Sequence, residues 1–174
     1  MNLKALSYAD CEQARIWRND NLSMNRTPYL LTQEMQGRFY QEQICNRKAN
    51  ARYWGIWEED TFIGMGEITN ISLENRNGEI GLIMHPGHAY MAEQAIDLIL
   101  EQAFDYLNLE NIYAECYACS SYLDIWLAAR EKYNVKYAWL TNRKYWKGKH
   151  YDSLYFNINQ EDWKKCRIYF SQLL

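Results

Sequence analysis

No apolar run in this chain approaches the ~18 residues that a membrane-spanning helix needs, so its 174 residues predict no membrane partner. The opening MNLKALSYAD is too short and polar to be a secretory leader. A basic surplus is also missing. Lys and Arg number 19 against 22 Asp and Glu, a net charge of −3, which predicts no nucleic-acid partner. Cysteines do not come in a paired framework: there are five, odd in number and scattered, as expected of reduced thiols in a cytoplasmic protein. Cys116-x-x-Cys119 has no second pair beside it, and His85-x-x-His88 has no third ligand, so no metal is expected. No repeat, linker or low-complexity segment breaks the chain, which predicts one domain over residues 1–174.

What the chain does have is an ordinary globular balance, 48% hydrophobic and 24% charged, with many aromatics: 15 Tyr, 7 Trp and 5 Phe. These either make a Tyr-rich core and surface or line a pocket for a flat or long ligand. Apolar periodicity divides the chain into alternating elements. Residues 3–6 read as a short edge strand, and Asp10 as the N-cap of a helix over 11–18. An irregular stretch, 25–31, precedes a second helix opening at 32–34 and reaching about residue 45. Residues 53–57 and 61–69 predict a hairpin, and 79–84 a third strand. A helix then extends to about residue 106, with Asn108 at its end, followed by a strand at 112–117. Ser120 or Ser121 would cap a helix to about residue 132. Strands at 135–140 and 151–158 surround a basic turn near Gly148. The final piece, 160–174, is amphipathic, with Trp163, Ile168 and Leu173 available for docking. The order is α/β, a mixed and mostly antiparallel sheet in which a strand–helix–strand crossover makes one neighbouring pair parallel.

The rest is organised around residues 78–104, GEIGLIMHPGHAYMAEQAIDLILEQAF, where a compact strand passes through His85-Pro86-Gly87 into a long helix. A strand that turns directly into a helix aims free N–H groups at whatever lies above the strand end, which suits an anion such as a pyrophosphate.

Several motifs lie around this stretch. Trp17-Arg18-Asn19 ends the first helix. Phe62-Ile63-Gly64 precedes Glu67-Ile68-Thr69, and Gly78-Glu79-Ile80-Gly81 precedes Pro86. Ala103-Phe104 is followed by Leu107-Asn108-Leu109, and Arg143, Gly148 and Asp152 form Arg-x4-Gly-x3-Asp. In this order, over about residues 2–163, the chain resembles the GCN5-related N-acetyltransferase (GNAT) superfamily. It is most similar to the branch of ribosomal-protein N-terminal and amino-sugar acetyltransferases.

The resemblance implies a GNAT fold with a splayed central pair of parallel strands, and acetyl-CoA as co-substrate without a metal. The pantetheine arm would lie in the gap, with a backbone N–H of Leu82, Ile83 or Met84 polarising the thioester carbonyl. N–H groups of His88, Ala89, Tyr90, Met91 and Ala92 would hold the pyrophosphate. Glu67 is the first candidate base, with Glu79 second; the plain alternative for Glu67 is a solvent-facing strand residue. Arg18, Asn19 and Arg143 would meet the substrate, with Lys147 beside them, or else belong to ordinary solvated surface.

This chain departs from the family pattern at three places. No glycine follows Gly87 in a shortened loop. Ala118-Cys119-Ser120-Ser121 holds no Asn, leaving Ser120 to offer a hydroxyl to the pantetheine arm. No Tyr lies within 123–132, leaving Tyr122 or Tyr133 as the acid for the departing thiolate. The expected activity is acetyl transfer to a small-molecule amine, such as a nucleotide-linked amino sugar, or to a protein N-terminus. Trp17, Tyr29, Trp54 and Tyr145 would suit a sugar or base surface. The alternative is a catalytically degenerate GNAT-fold binding or regulatory protein, and a homodimer through exposed strands or the C-terminal piece also stays open.

Overall fold

The computed structural model describes residues 1–26, 28–133 and 135–171, the side chains of 168–171 excepted. The chain begins with β1 (Asn2–Lys4) and α1 (Tyr8–Asp20). Ser7, not Asp10, is the N-cap of α1. Its Oγ accepts from the Asp10 N–H at 3.2 Å, and Asp10 Oδ2 accepts in return from the Ser7 N–H at 2.8 Å. This reciprocal capping box satisfies two donors where a lone Asp cap would satisfy one. Helix α2 (Gln33–Phe39), capped by Thr32, continues as a π-helical turn, Tyr40–Ile44.

Strands β2 (Arg52–Glu58) and β3 (Thr61–Ser72) form the predicted hairpin, and β4 (Asn77–Met84) follows antiparallel to β3. A 3-10 helix, Pro86–Met91, leads into α3 (Ala92–Glu101) and then a π-helical turn, Gln102–Tyr106. Asn108 stops it with a φ of 55°, a left-handed conformation that Asn tolerates. Next come β5 (Asn111–Tyr117) and α4 (Leu123–Lys132). Neither serine caps α4 directly: Tyr122 holds the N-cap position, and Ser120 Oγ accepts from the Tyr122 N–H at 3.1 Å.

Strands β6 (Lys136–Trp146) and β7 (Lys149–Asn159) are longer than the sequence pattern predicts. The turn between them is only Lys147-Gly148, at φ 46° and 81°, as a tight hairpin requires. Asp152 ties this hairpin together by accepting from the Asn142 N–H at 3.0 Å. Helix α5 (Gln160–Ser171) ends the described chain. Trp163 of α5 is buried against Phe104, ring centroids 5.2 Å apart, and docks α5 on the turn that follows α3. The side chain of Ile168 and all of Leu173 lie outside the described residues.

The strands form one sheet in the order β1-β2-β3-β4-β5-β7-β6, antiparallel except for β4 and β5. Side-chain alternation separates two apolar layers. Met65 packs with Cys11, Ala14 and Trp17 of α1 on one face, with Ile83 against them. Ile68, Ile80 and Met84 pack with Ala95, Ile96 and Ile99 of α3 on the other. No described helix is long and apolar enough to cross a membrane.

Gly66 lets α3 lie close to the sheet: a Cβ there would meet Ile99 Cδ1 at 2.3 Å and Cγ1 at 2.7 Å. Gly66→Ala should therefore destabilise the protein by about 1–3 kcal/mol through overpacking. Urea unfolding should also show G66A/I99A no less stable than I99A alone, because the second change removes the atoms that clash.

Candidate active site

Strands β4 and β5 pair only at Asn77, Gly78 and Glu79 with Asn111, Ile112 and Tyr113. Beyond that point both strands continue, to Met84 and Tyr117, without pairing to each other. A cavity of about 310 Å³ occupies the divergence. Residues of both side-chain phases line it: Leu82 from the α3 face, and Gly81 and Ile83 from the α1 face. The cavity therefore runs through the sheet rather than lying on it.

On the α3 face Tyr122 closes the far end. Its hydroxyl accepts from the Met84 N–H at 3.2 Å and donates to the Met84 carbonyl at 3.3 Å. Burial pushes this phenol above its ordinary pKa, partly offset by the bond from Met84. It is therefore a neutral donor near neutral pH. The Met84 N–H is thus engaged. Backbone N–H groups two residues apart on a strand point to the same edge, which leaves the Leu82 N–H directed into the gap.

On the α1 face, three adjacent strands each contribute a carboxylate to the cavity: Glu67 of β3, Glu79 of β4 and Glu115 of β5. Glu67 folds over Gly81, where a Cβ would meet its Oε1 at 2.3 Å and its Cγ at 2.7 Å. No hydrogen bond or ion pair holds the Glu67 carboxyl among the described residues. Burial, then the neighbouring Glu79, raise its pKa to about 7, against a smaller opposing effect of Arg26. Glu79 accepts from Asn70 Nδ2 at 2.8 Å and pairs with Arg26. Burial pushes Glu115 up, but hydrogen bonds from Arg143 and Ser153 outweigh it and leave the group below its ordinary pKa.

A second cavity, of about 370 Å³, lies under α1 and α2 and shares Arg18, Glu67 and Ile83 with the first. It is largely apolar, with Leu31, Met35, Phe39 and Met65 in its wall. Glu67 thus stands where an α1-side chamber joins the gap.

The residues singled out in the sequence fall into three groups. Glu67, Leu82, Ile83, Ser120, Tyr122 and Arg18 line the gap together, and Met84 joins them through Tyr122. The 88–92 turn lies apart from both cavities. The His88 N–H donates to the His85 carbonyl at 2.9 Å and the Ala92 N–H to Ala89. Ala89, Tyr90 and Met91 lie between them in the 3-10 helix, where each N–H serves the carbonyl three residues back. Those donors become available to an anion only when the turn opens. Asn19 is committed to the chain beyond α1, and Arg143 to the gap carboxylate Glu115. Asn19 bonds both backbone groups of Leu31 at 2.9 Å, and Arg143 Nε donates to Glu115 at 3.0 Å. Of the four aromatics expected to form a flat surface, Tyr29 lines the second cavity, while Trp17 is buried against Phe62. Sequence reasoning missed Arg26, Glu115 and Lys144. Glu115 alone carried a signal, its alternation with Ala114 and Cys116 placing it on the polar face of β5.

A family model described as an acetyltransferase (GNAT) domain matches residues 1–119. The chain belongs to the GNAT acetyltransferase family. Spermidine N-acetyltransferase from Vibrio cholerae, in complex with CoA and spermine, superposes on this GNAT acetyltransferase with a TM-score of 0.81. The two are 20% identical, over 94% of this chain and 97% of that one. Mutant forms of the Vibrio cholerae spermidine/spermine N-acetyltransferase SpeG give 0.80 at 20% identity, over 94% and 96%. A dodecameric structure of the Vibrio cholerae enzyme in an intermediate state gives 0.77 at 21%, over 93% and 95%. At such identity these likenesses speak for the fold. No curated protein matches the chain by sequence. Among the described residues no group of three or more His, Cys, Asp and Glu side chains could hold a metal.

The raised Glu67 makes a stability prediction. Its folded pKa of about 7 lies above the ordinary 4.5. The folded state therefore holds the proton more tightly, and stability falls as pH rises between those values. Glu67→Gln should equal the wild type near pH 4 and exceed it by about 1–3 kcal/mol near pH 8. The lower end is expected because Glu67 lines an open cavity. Denaturant melts at both pH values measure the difference.

Proposed function

We propose that this GNAT acetyltransferase uses acetyl-CoA to acetylate a small amine that carries more than one positive charge. The observation that carries this reading is the row Glu67, Glu79 and Glu115 on adjacent strands of one sheet face, beside a gap that passes through the sheet. An acyl donor would enter from the α3 side and an amine from the α1 side, so that the two meet at the strand edge. The acidic row favours a cation over the phosphates of a nucleotide-linked amino sugar. Spermidine and spermine in the names of the structural neighbours point the same way.

The gap suits the amide-bearing pantetheine arm, because the β4 edge beyond Glu79 lacks a strand partner and can bond peptide-like groups. Ser120, Leu82 and Tyr122 would flank the arm, and the 88–92 turn would take the pyrophosphate once opened. The Leu82 N–H would polarise the acyl carbonyl. Glu67, poised near neutrality, would take a proton from the ammonium, directly or through a water. The neutral amine would then attack the carbonyl, and the tetrahedral adduct would collapse by breaking the C–S bond. The Tyr122 hydroxyl would protonate the departing thiolate, the second proton of the acylated nitrogen would restore the phenol, and the proton on Glu67 would pass to solvent. The second cavity favours one variant of this reading, an acceptor with an apolar arm reaching under α1 and α2.

Release of free CoA should be followed with spermidine, an arylalkylamine and an N-terminal peptide as acceptors. Spermidine should give the highest kcat/KM, and turnover with the peptide alone would overturn the reading. For the wild type, kcat/KM should rise with pH through about 7, the pKa of Glu67. Glu67→Gln should flatten that limb and lower kcat about 10²–10⁴-fold. Gly81→Ala pushes the Glu67 carboxyl aside by contact. It should lower kcat about 10²-fold while leaving the melting temperature within a few degrees of wild type.

A further inference from the structure

Between α1 and α2, residues 21–26 lie at the α1-side mouth of the gap and residues 28–31 beside it, and the two stretches are each tethered. Asn19 holds Leu31, as described above. At the other end Lys144 of β6, a buried ammonium lying 4.8 Å from the Tyr117 ring centroid, donates to the carbonyls of Ser23 and Asn25, the latter at 2.6 Å. Between these tethers the Arg26 guanidinium bonds Glu79 and approaches Glu115 to 4.0 Å. The exposures are unequal: the Arg26 side chain is 56% exposed, those of Glu79 and Glu115 only 12% and 10%. The carboxylates belong to the sheet, and the cation reaches them from the solvent side.

Glu115 also pairs with Arg143, whereas Arg26 is the one cation on Glu79 among the described residues, and two recessed carboxylates on neighbouring strands repel strongly without such partners. An internal cation satisfies them, but an exposed guanidinium contributes little and can swing back into water. Glu79 lies diagonally across from Glu67 in the β3–β4 register, two pairs along from Glu67↔Gly81. Such diagonal neighbours are about 7–8 Å apart, a span that a short methylene chain between two ammonium groups can cover.

We propose that Arg26 is a built-in competitor: its guanidinium occupies the subsite for the distal ammonium of a dicationic acceptor, and that acceptor binds by displacing it. This rests on the reading of the cavity as a polycationic amine site. A monoamine that reaches only Glu67 does not contest Arg26. The enzyme thereby distinguishes acceptors by their number of charges, because only a second cation regains the pairing that Arg26 gives up.

Calorimetric titration without acetyl-CoA separates this inference from the reaction itself. Spermidine and n-butylamine are titrated into the full-length wild type, R26Q and R26K. R26Q should bind spermidine about tenfold more tightly and n-butylamine within about twofold of wild type, whereas R26K, which keeps the cation, should stay near wild type. Unchanged or weaker spermidine binding to R26Q overturns the proposal, as does equal tightening of both amines or no spermidine binding to any form. E79Q keeps Arg26 but removes half of the subsite, and it covers the case in which R26Q does not fold. It should weaken spermidine and leave n-butylamine unchanged; any other pattern overturns the proposal. If R26Q tightens spermidine while no form releases CoA from acetyl-CoA, the competition stands and the acetyl-transfer reading falls.

Discussion

The site depends on two parallel strands that stop pairing after three residues. Their closed end is pinned. The N–H groups of Glu110 and Asn111 donate to the Arg76 carbonyl, and the Arg76 side chain bonds Asn108 and pairs with Glu110. Their open end is held apart at Tyr122, whose hydroxyl bonds both backbone groups of Met84, with Trp126 beside it in the cavity wall. With one end clamped and the other blocked, the sheet cannot close without expelling two buried aromatic side chains. The cavity is therefore a property of the fold and not of one loop.

That constraint also sorts the chemistry by face. Strand alternation sends Ile68, Ile80 and Met84 into the α3 layer, and sends Glu67, Glu79 and Gly81 toward α1. The apolar layer holds the splayed strands from below. The opposite face, freed from core duty, can carry three carboxylates without burying them fully. The raised pKa of Glu67 follows from the same arrangement: burial acts first, Glu79 on the next strand adds to it, and among the described residues no donor bonds the Glu67 carboxyl.

Much of the fold could be read from periodicity. The hairpin of β2 and β3, the crossover through α3 and the single domain-long sheet all followed from apolar spacing and turn residues. Local chemistry was harder to read. Ser7 and Asp10 both suit an N-cap, and only the three-dimensional path of the chain decides which accepts from the first turn. For the site, the resemblance to the GNAT superfamily led to Glu67, to the 82–84 stretch and to Tyr122 or Tyr133, and of these Glu67, Leu82, Ile83 and Tyr122 line one gap. Arg26 and Lys144 are not among its motif residues. Arg26 sits in an irregular segment, and Lys144 comes from a basic run whose other members face solvent. Their roles come from contacts across more than fifty and more than one hundred residues of chain respectively, which no local pattern encodes. Conversely, the 88–92 turn looked like a free helix start in sequence, but its N–H groups bond within the 3-10 helix.

Tyr122 gives the Met84 edge both an acceptor and a donor from within the chain. A ligand amide that takes its place swaps one set of hydrogen bonds for another of nearly equal number. Such an exchange yields little net enthalpy from polar groups. Affinity for such a ligand would then have to come from covering Leu82 and Trp126, and its thermodynamic mark would be a negative change in heat capacity. The phenol thus keeps the strand edge satisfied while the gap beside it stays open.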